Sequence, residues 1–250
     1  MCGRFLLTSP VEALRRMFGV ESGLNIPARY NIAPTQVTVV LRPSGDGGKE
    51  LVLLRWGLVP SWAKDLSIGS KLIHARSDGV ATKPSFRAAF RQRRCLIPAD
   101  GFYEWSEASG PKNKQPYLIA RRDGAAFTLA GLWEQWRSGG ETIETFALIT
   151  TDANATLGPI HHRMPVIVAE ADRAAWLDPA NKDAETLLKP APDDAMAAIP
   201  ISTRVNNVRN DGPELIEPVD PATLAAAPAT PVKLAAKSRT KVPSSQGSLF

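Results

Sequence analysis

Thr38-Val39-Val40-Leu41, Gly45-Asp46-Gly47-Gly48 and Leu51-Val52-Leu53-Leu54-Arg55 follow one another along the chain. Their reading sets the fold class. The first and third runs are rich in β-branched and large apolar residues, which suit a pleated surface. The glycines between them supply the positive-φ conformations of a tight turn, so the stretch is a predicted antiparallel hairpin. Comparable runs recur at 95–97, 117–120, 127–133, 145–150 and 165–168.

Helix signals are fewer. Ser9-Pro10-Val11-Glu12 reads as a capping box with proline at the first helical position, followed by Leu14, Met17 and Phe18 at helical spacing. A second helix is predicted from Pro84, where Phe86 and Phe90 are four apart with Arg87, Arg91 and Arg94 beside them. A third falls at 171–177 and a fourth at 183–188. Strands outnumber helices and do not alternate with them, so the class is α+β rather than doubly wound α/β.

The chain has 250 residues, 44% of them hydrophobic and 22% charged, enough apolar material for a core. No apolar run reaches the length of a membrane span. Met1-Cys2-Gly3-Arg4-Phe5 lacks the basic-then-apolar layout of a signal peptide, which argues against secretion and for a cytoplasmic protein. Two cysteines exclude a disulfide framework and a four-thiolate metal site, and three histidines argue against a histidine-rich one. No metal or other cofactor is expected.

Net charge is +5, but Lys233, Lys237, Arg239 and Lys241 stand in an acid-free last thirty residues, and removing those four cations leaves +1. The basic balance is thus largely a tail property and does not by itself make residues 1–220 a nucleic-acid binder. Residues 221–250 are Ala-, Pro- and Ser-rich and lack the large apolar side chains that offset ordering entropy, so they read as a disordered tail.

Cys2 leads the residues that can carry chemistry. Removal of the initiator methionine would expose a thiol beside a free α-amine, whose ordinary pKa of about 7.7–8.0 leaves a nucleophilic fraction at neutrality. Such a 1,2-aminothiol attacks an aldehyde to form an imine, and the thiol then closes a thiazolidine. The plain alternative is a small residue at a chain end.

Pro98-Ala99-Asp100-Gly101-Phe102-Tyr103-Glu104-Trp105 sets a carboxylate among aromatics that can desolvate it and raise its pKa. Against this stands a strand-edge glutamate facing water. In Gly158-Pro159-Ile160-His161-His162-Arg163-Met164-Pro165, an extended backbone would put His161 and Arg163 on one face and His162 on the other, a proton-transfer group beside an anion clamp.

Arg4, Arg29, Arg76, Arg87 and Arg163 are candidate phosphate contacts, each with a solvated-arginine alternative. Trp56 and Trp62, in Trp56-Gly57-Leu58-Val59-Pro60-Ser61-Trp62, are a candidate wedge or stacking platform for unpaired bases, or else core. Cys95 reads as a buried filler.

Together with Met-Cys-Gly-Arg-Phe at 1–5, Arg-Tyr-Asn-Ile-Ala-Pro-Thr-Gln at 29–36, Ala-Arg-Ser at 75–77, Lys-Pro-Ser-Phe at 83–86 and Arg-Cys-Leu-Ile-Pro at 94–98, these segments resemble the SOS response-associated peptidase (SRAP) family of abasic-site processing proteins. The resemblance spans roughly residues 1–210. It implies one domain at 1–220 with a twisted, largely antiparallel, barrel-like β core flanked by helices.

It also implies a monomer that binds single-stranded or junction DNA and links Cys2 covalently to an abasic deoxyribose, shielding the lesion in the DNA damage response. Glu104 and His161 match the family's active-site glutamate and histidine, and Arg4, Arg76 and Arg163 match positions that hold phosphates or border the pocket. Peptidase-like self-processing would expose Cys2. His74 departs from the family's usual asparagine at the DNA-binding surface, which changes that position's hydrogen bonding and pH response.

Three other readings stay open: an N-terminal-nucleophile amidohydrolase or peptidase with Cys2 attacking an amide, a non-catalytic single-strand binder, and a strand-cleaving lyase. At the C-terminus, Gln246-Gly247-Ser248-Leu249-Phe250 looks like the pentapeptide by which bacterial DNA proteins dock on a sliding clamp, with Gln246 as polar anchor and Leu249 and Phe250 as apolar plug.

Overall fold

The structure, a computed structural model, describes residues 2–107, 110 and 114–220. The expected disordered tail at 221–250, with Gln246, Leu249 and Phe250, lies outside the described residues. In chain order the first strands are β1 (Arg4–Leu7), β2 (Arg29–Ile32), β3 (Val37–Pro43), β4 (Lys49–Trp56), β5 (His74–Arg76), β6 (Arg94–Ala99) and β7 (Gly101–Ser106). After them come β8 (Gln115–Arg121), β9 (Phe127–Ser138), β10 (Glu141–Asp152), β11 (Arg163–Pro165), β12 (Ile167–Val168) and β13 (Met196–Pro200). Helices are α1 (Val11–Phe18), α2 (Arg87–Gln92) and α3 (Arg173–Leu177).

The hairpin read from 38–55 is present as β3 and β4, paired antiparallel from Val37↔Arg55 to Pro43↔Lys49. It is one side of a closed barrel. β3 also pairs with β6, β6 with β9, β9 with β10, and β10 returns to β4. Only the β10–β4 closure is parallel. Closure leaves the five strands no open edge between them. Leu41, Leu54, Leu96, Ala130, Phe146 and Leu148 are all buried in this core, each large side chain contributing about 1.5–3 kcal/mol relative to exposure. The α+β class with a largely antiparallel, barrel-like core is therefore correct.

A second, wholly antiparallel sheet runs β13-β8-β7-β1-β2. The chain passes from barrel to sheet at Asp100, the single residue between β6 and β7. Gly101 makes this crossing fit. A Cβ there would lie 2.7 Å from Leu118 Cδ1 and 2.8 Å from Leu6 Cδ2, closer than side chains allow. The Asp100 carboxylate accepts from the Thr8 and Ser9 backbone N–H groups and from Ser9 Oγ.

Ser9 is thereby diverted from the expected capping box, and Pro10, expected at the first helical position, instead stands just before α1, which starts at Val11 with no side-chain cap. Proline has no N–H to satisfy there, which lowers the cost of going uncapped. The expected fourth helix is a 3₁₀ turn at Ala184–Leu187. The run at 165–168 is two short strands, β11 on β10 and β12 on β9, separated by Val166. Among the described residues no helix is long and apolar enough to cross a membrane.

Candidate active site

Three elements carry Cys2, Glu104 and His74 toward one place. β1 and β7 pair antiparallel, with Arg4 opposite Tyr103. Glu104 is thus one residue past the last pair on β7, and Cys2 two residues before it on β1. His74 opens β5, which lies parallel to β10 with His74 against Leu148. Its Nε2 is 2.6 Å from the carbonyl oxygen of Cys2.

Cys2 is fully buried, with Sγ donating to the Arg4 backbone oxygen at 3.6 Å. Burial pushes its thiol well above the ordinary value, and the Glu104 charge pushes it further. The thiol is therefore protonated at neutral pH. Glu104 is 1% exposed. Burial raises its pKa to about 7, against the pull of the Trp105 backbone N–H. This overturns the water-facing strand-edge reading. A carboxyl poised near neutrality suits proton transfer in either direction.

His161 lies just before β11. Its Nδ1 lies 3.0 Å from the Arg163 backbone nitrogen and 3.2 Å from the Arg163 backbone oxygen, so it accepts or donates there according to the tautomer. Burial lowers its pKa. Glu104 and His161 line one cleft of about 630 Å³, together with Trp105, Lys114 and His162. The expected opposition of His161 and His162 does not occur. Their rings stack with centroids 4.4 Å apart, because the strand begins only at Arg163 and the residues before it are not extended.

Two expected DNA contacts are corrected. Trp56 is completely buried, donates from Nε1 to the Ile73 oxygen at 3.0 Å, and packs against Phe5, Phe146 and His74. It is core and offers no face to a base. Arg163 is 4% exposed, with Nη1 on Asp152 Oδ1 at 2.8 Å and Nη2 on the Thr150 oxygen at 2.6 Å. It joins β11 to β10 and is closed to phosphate.

The remaining arginines divide. Arg4 is half-buried, with Nη1 donating to Asn31 Oδ1 and the Val205 oxygen, both at 2.9 Å, and Nη2 to the Asn206 oxygen at 3.3 Å. It clasps the chain's 205–206 segment onto the second sheet, and a phosphate would have to share those donors. Arg76 is exposed and paired through two bonds with Asp78. Arg87 is exposed at the start of α2, and Trp62 is 60% exposed. Neither Arg76, Arg87 nor Trp62 lines the cleft.

Sequence reasoning missed Trp105, Lys114 and His162 as cleft residues, and it missed Asn31. That fully buried amide accepts from Arg4 and donates to the oxygens of Val205, Asn207 and Asn210. Trp105 Nε1 in turn donates to Asn206 Oδ1 at 2.7 Å, so the clasped segment also fixes one wall of the cleft. Nothing in Arg29-Tyr30-Asn31-Ile32 marks the asparagine as buried, because two of its three strand neighbours are themselves polar or amphipathic.

Residues 1–208 match a family model described as SOS response associated peptidase (SRAP). The chain is 41% identical over 224 residues to abasic site processing protein YoqW of Bacillus subtilis (strain 168), covering 87% of this chain and 99% of that protein. It is 37% identical over 269 residues to abasic site processing protein HMCES of Gallus gallus, covering 88% and 78% respectively. A crystal structure of a Bacteroides thetaiotaomicron protein superposes with a TM-score of 0.78 at 27% identity, covering 87% of this chain and all of the other. With that breadth of match, the chain belongs to the SRAP family.

Proposed function

We propose that this protein processes abasic sites in single-stranded or junction DNA by forming a covalent crosslink through Cys2. The observation that carries the reading is the burial of Glu104, its pKa raised to about 7, where its charge is felt by the Cys2 thiol. Names of relatives at 41% and 37% identity point to the same lesion.

Hydrolysis of the Met1–Cys2 bond, by the chain itself, frees the α-amine. An abasic sugar rests mainly as a closed hemiacetal. His161 passes a proton to the ring oxygen as the ring opens to the aldehyde, and the proton released by the C1′ hydroxyl returns to the imidazole through water. The Glu104 carboxylate takes a proton from the Cys2 ammonium. The amine adds to C1′ and water leaves, giving an imine. A buried, protonated thiol is a poor first nucleophile, so the amine attacks first. The thiol then adds across the imine, its proton passing to nitrogen, and closes the thiazolidine. Ring closure removes the electron sink that would acidify C2′ and break the strand. It wins because an adjacent group has a high effective molarity.

Trp62, Arg76 and Arg87 supply stacking and phosphate contacts outside the cleft, and Gln246, Leu249 and Phe250 dock a monomer on a sliding clamp near the nucleoid. The test is a denaturing gel of the protein with matched oligonucleotides. A heat-stable shifted band on abasic single strands alone is expected. Strand breakage without a shifted band would make the protein a lyase, and neither product would defeat the reading. Deleting 246–250 should abolish clamp pull-down, and unchanged capture would dispose of the docking motif.

A further inference from the structure

Cys2 stands beside a chain end, where backbone is ordinarily least restrained. Two contacts hold it: Sγ to the Arg4 oxygen at 3.6 Å, and His74 Nε2 to its own carbonyl oxygen at 2.6 Å. A carbonyl only accepts, so at that distance Nε2 carries the proton. The imidazole has little room to do otherwise. β5 fixes its backbone against Leu148, and its ring meets Trp56 edge-on with centroids 6.1 Å apart. Trp56 is itself locked through Nε1 to the oxygen of Ile73, the residue before His74. Burial lowers the pKa of His74 to about 4, the Cys2 carbonyl opposing the shift, so the ring is neutral at physiological pH.

We propose that His74 is a positioning residue whose Nε2–H pins the Cys2 carbonyl, stops rotation about the Cys2 Cα–C bond, and presents amine and thiol together to one carbon. The inference rests on the reading of Cys2 as the aldehyde-trapping residue. Orientation of this kind acts on the rate of the covalent step rather than on DNA affinity.

The test is single-turnover capture of an abasic single-stranded oligonucleotide at saturating DNA, with His74→Leu and His74→Gln. Leucine fills similar space without a donor, whereas glutamine carries an N–H at similar reach. Losing one buried hydrogen bond should slow capture by His74→Leu about tenfold, with half-saturation unchanged. His74→Gln should stay within about threefold of wild type. Equal rates for wild type and His74→Leu, or equal slowing in both variants, would overturn the assignment. If His74→Leu does not fold, nitrogen-15 spectra of the wild-type ring decide: a protonated Nε2 with bare Nδ1 supports the assignment, and the opposite tautomer overturns it. Failure of the wild-type protein to form any adduct would instead sink the proposed function, while the tautomer would still answer for the bond.

Discussion

Glu104 and Cys2 are both buried, and the Glu104 charge holds the Cys2 thiol further above its ordinary pKa than burial alone does. The two residues reach this relationship through the antiparallel pairing of β1 with β7, which stops one residue short of Glu104. A carboxylate that disfavours the thiolate can also accept the proton the ammonium must lose, so the pair leaves the free amine rather than the thiolate as the first nucleophile.

Replacing Glu104 with glutamine should slow crosslinking about 10²–10⁴-fold, the usual worth of a positioned acid–base group. In wild type the rate should rise with pH as Glu104, which burial holds above the ordinary carboxyl range, ionises. That limb should vanish in Glu104→Gln, leaving only the titration of the amine. An unchanged rate and pH profile, measured by timed gel quenching, would remove Glu104 from the chemistry.

The same substitution should stabilise the fold. The Glu104 pKa is raised from 4.5 to about 7, so between those values the folded protein holds a proton the unfolded chain has released. Stability from this group is complete below about pH 4.5, falls as pH rises toward 7, and stays lower above it. Glu104→Gln should therefore melt higher than wild type at pH 8, by up to ~3 kcal/mol, and show no advantage at pH 4. Equal melting temperatures at pH 8 would contradict the raised pKa.

Cys2→Ser should give far less heat-stable adduct, because an oxazolidine reopens more readily than a thiazolidine. Equal yields after heating would mean the sulfur is not part of the linkage.

Trp56→Ala and Trp62→Ala should separate cleanly. Emptying the Trp56 site should cost about 3–5 kcal/mol of stability, since its ring fills space between Phe5, Phe146 and His74. Trp62→Ala should leave the melting temperature nearly unchanged and weaken single-strand binding. Likewise Arg76→Ala should reduce the salt dependence of binding by ~0.7 in log–log slope, whereas Arg163→Ala should lower stability and leave the slope alone.

These contrasts follow from what the chain makes legible. β3, β4, β9 and β10 stand out because long β-branched and aromatic runs report their own pleat. β1, β5 and β7 carry or flank Cys2, His74 and Glu104, yet β1 and β5 are only four and three residues long, and Arg4, Arg76 and Gly101 stand at the strand ends. Their strand character comes from neighbours: β5 exists because β10 offers it an edge. The chemistry of Cys2 could be read from residue type and position. The burial of Trp56 and Arg163 could not, because an aromatic or a cation in a loop motif suits a core contact as well as a DNA contact. Asn31 and its clasp of 205–210 depend on residues 174 or more positions away, beyond any local pattern.

The most direct measurement is intact mass of the purified protein after mixing with an abasic single-stranded oligonucleotide. The account predicts one new species, equal to the chain lacking Met1 plus the oligonucleotide less one water, present in wild type and absent in Cys2→Ala. A protein that keeps Met1 and gains no mass, or an equal adduct in Cys2→Ala, would contradict it.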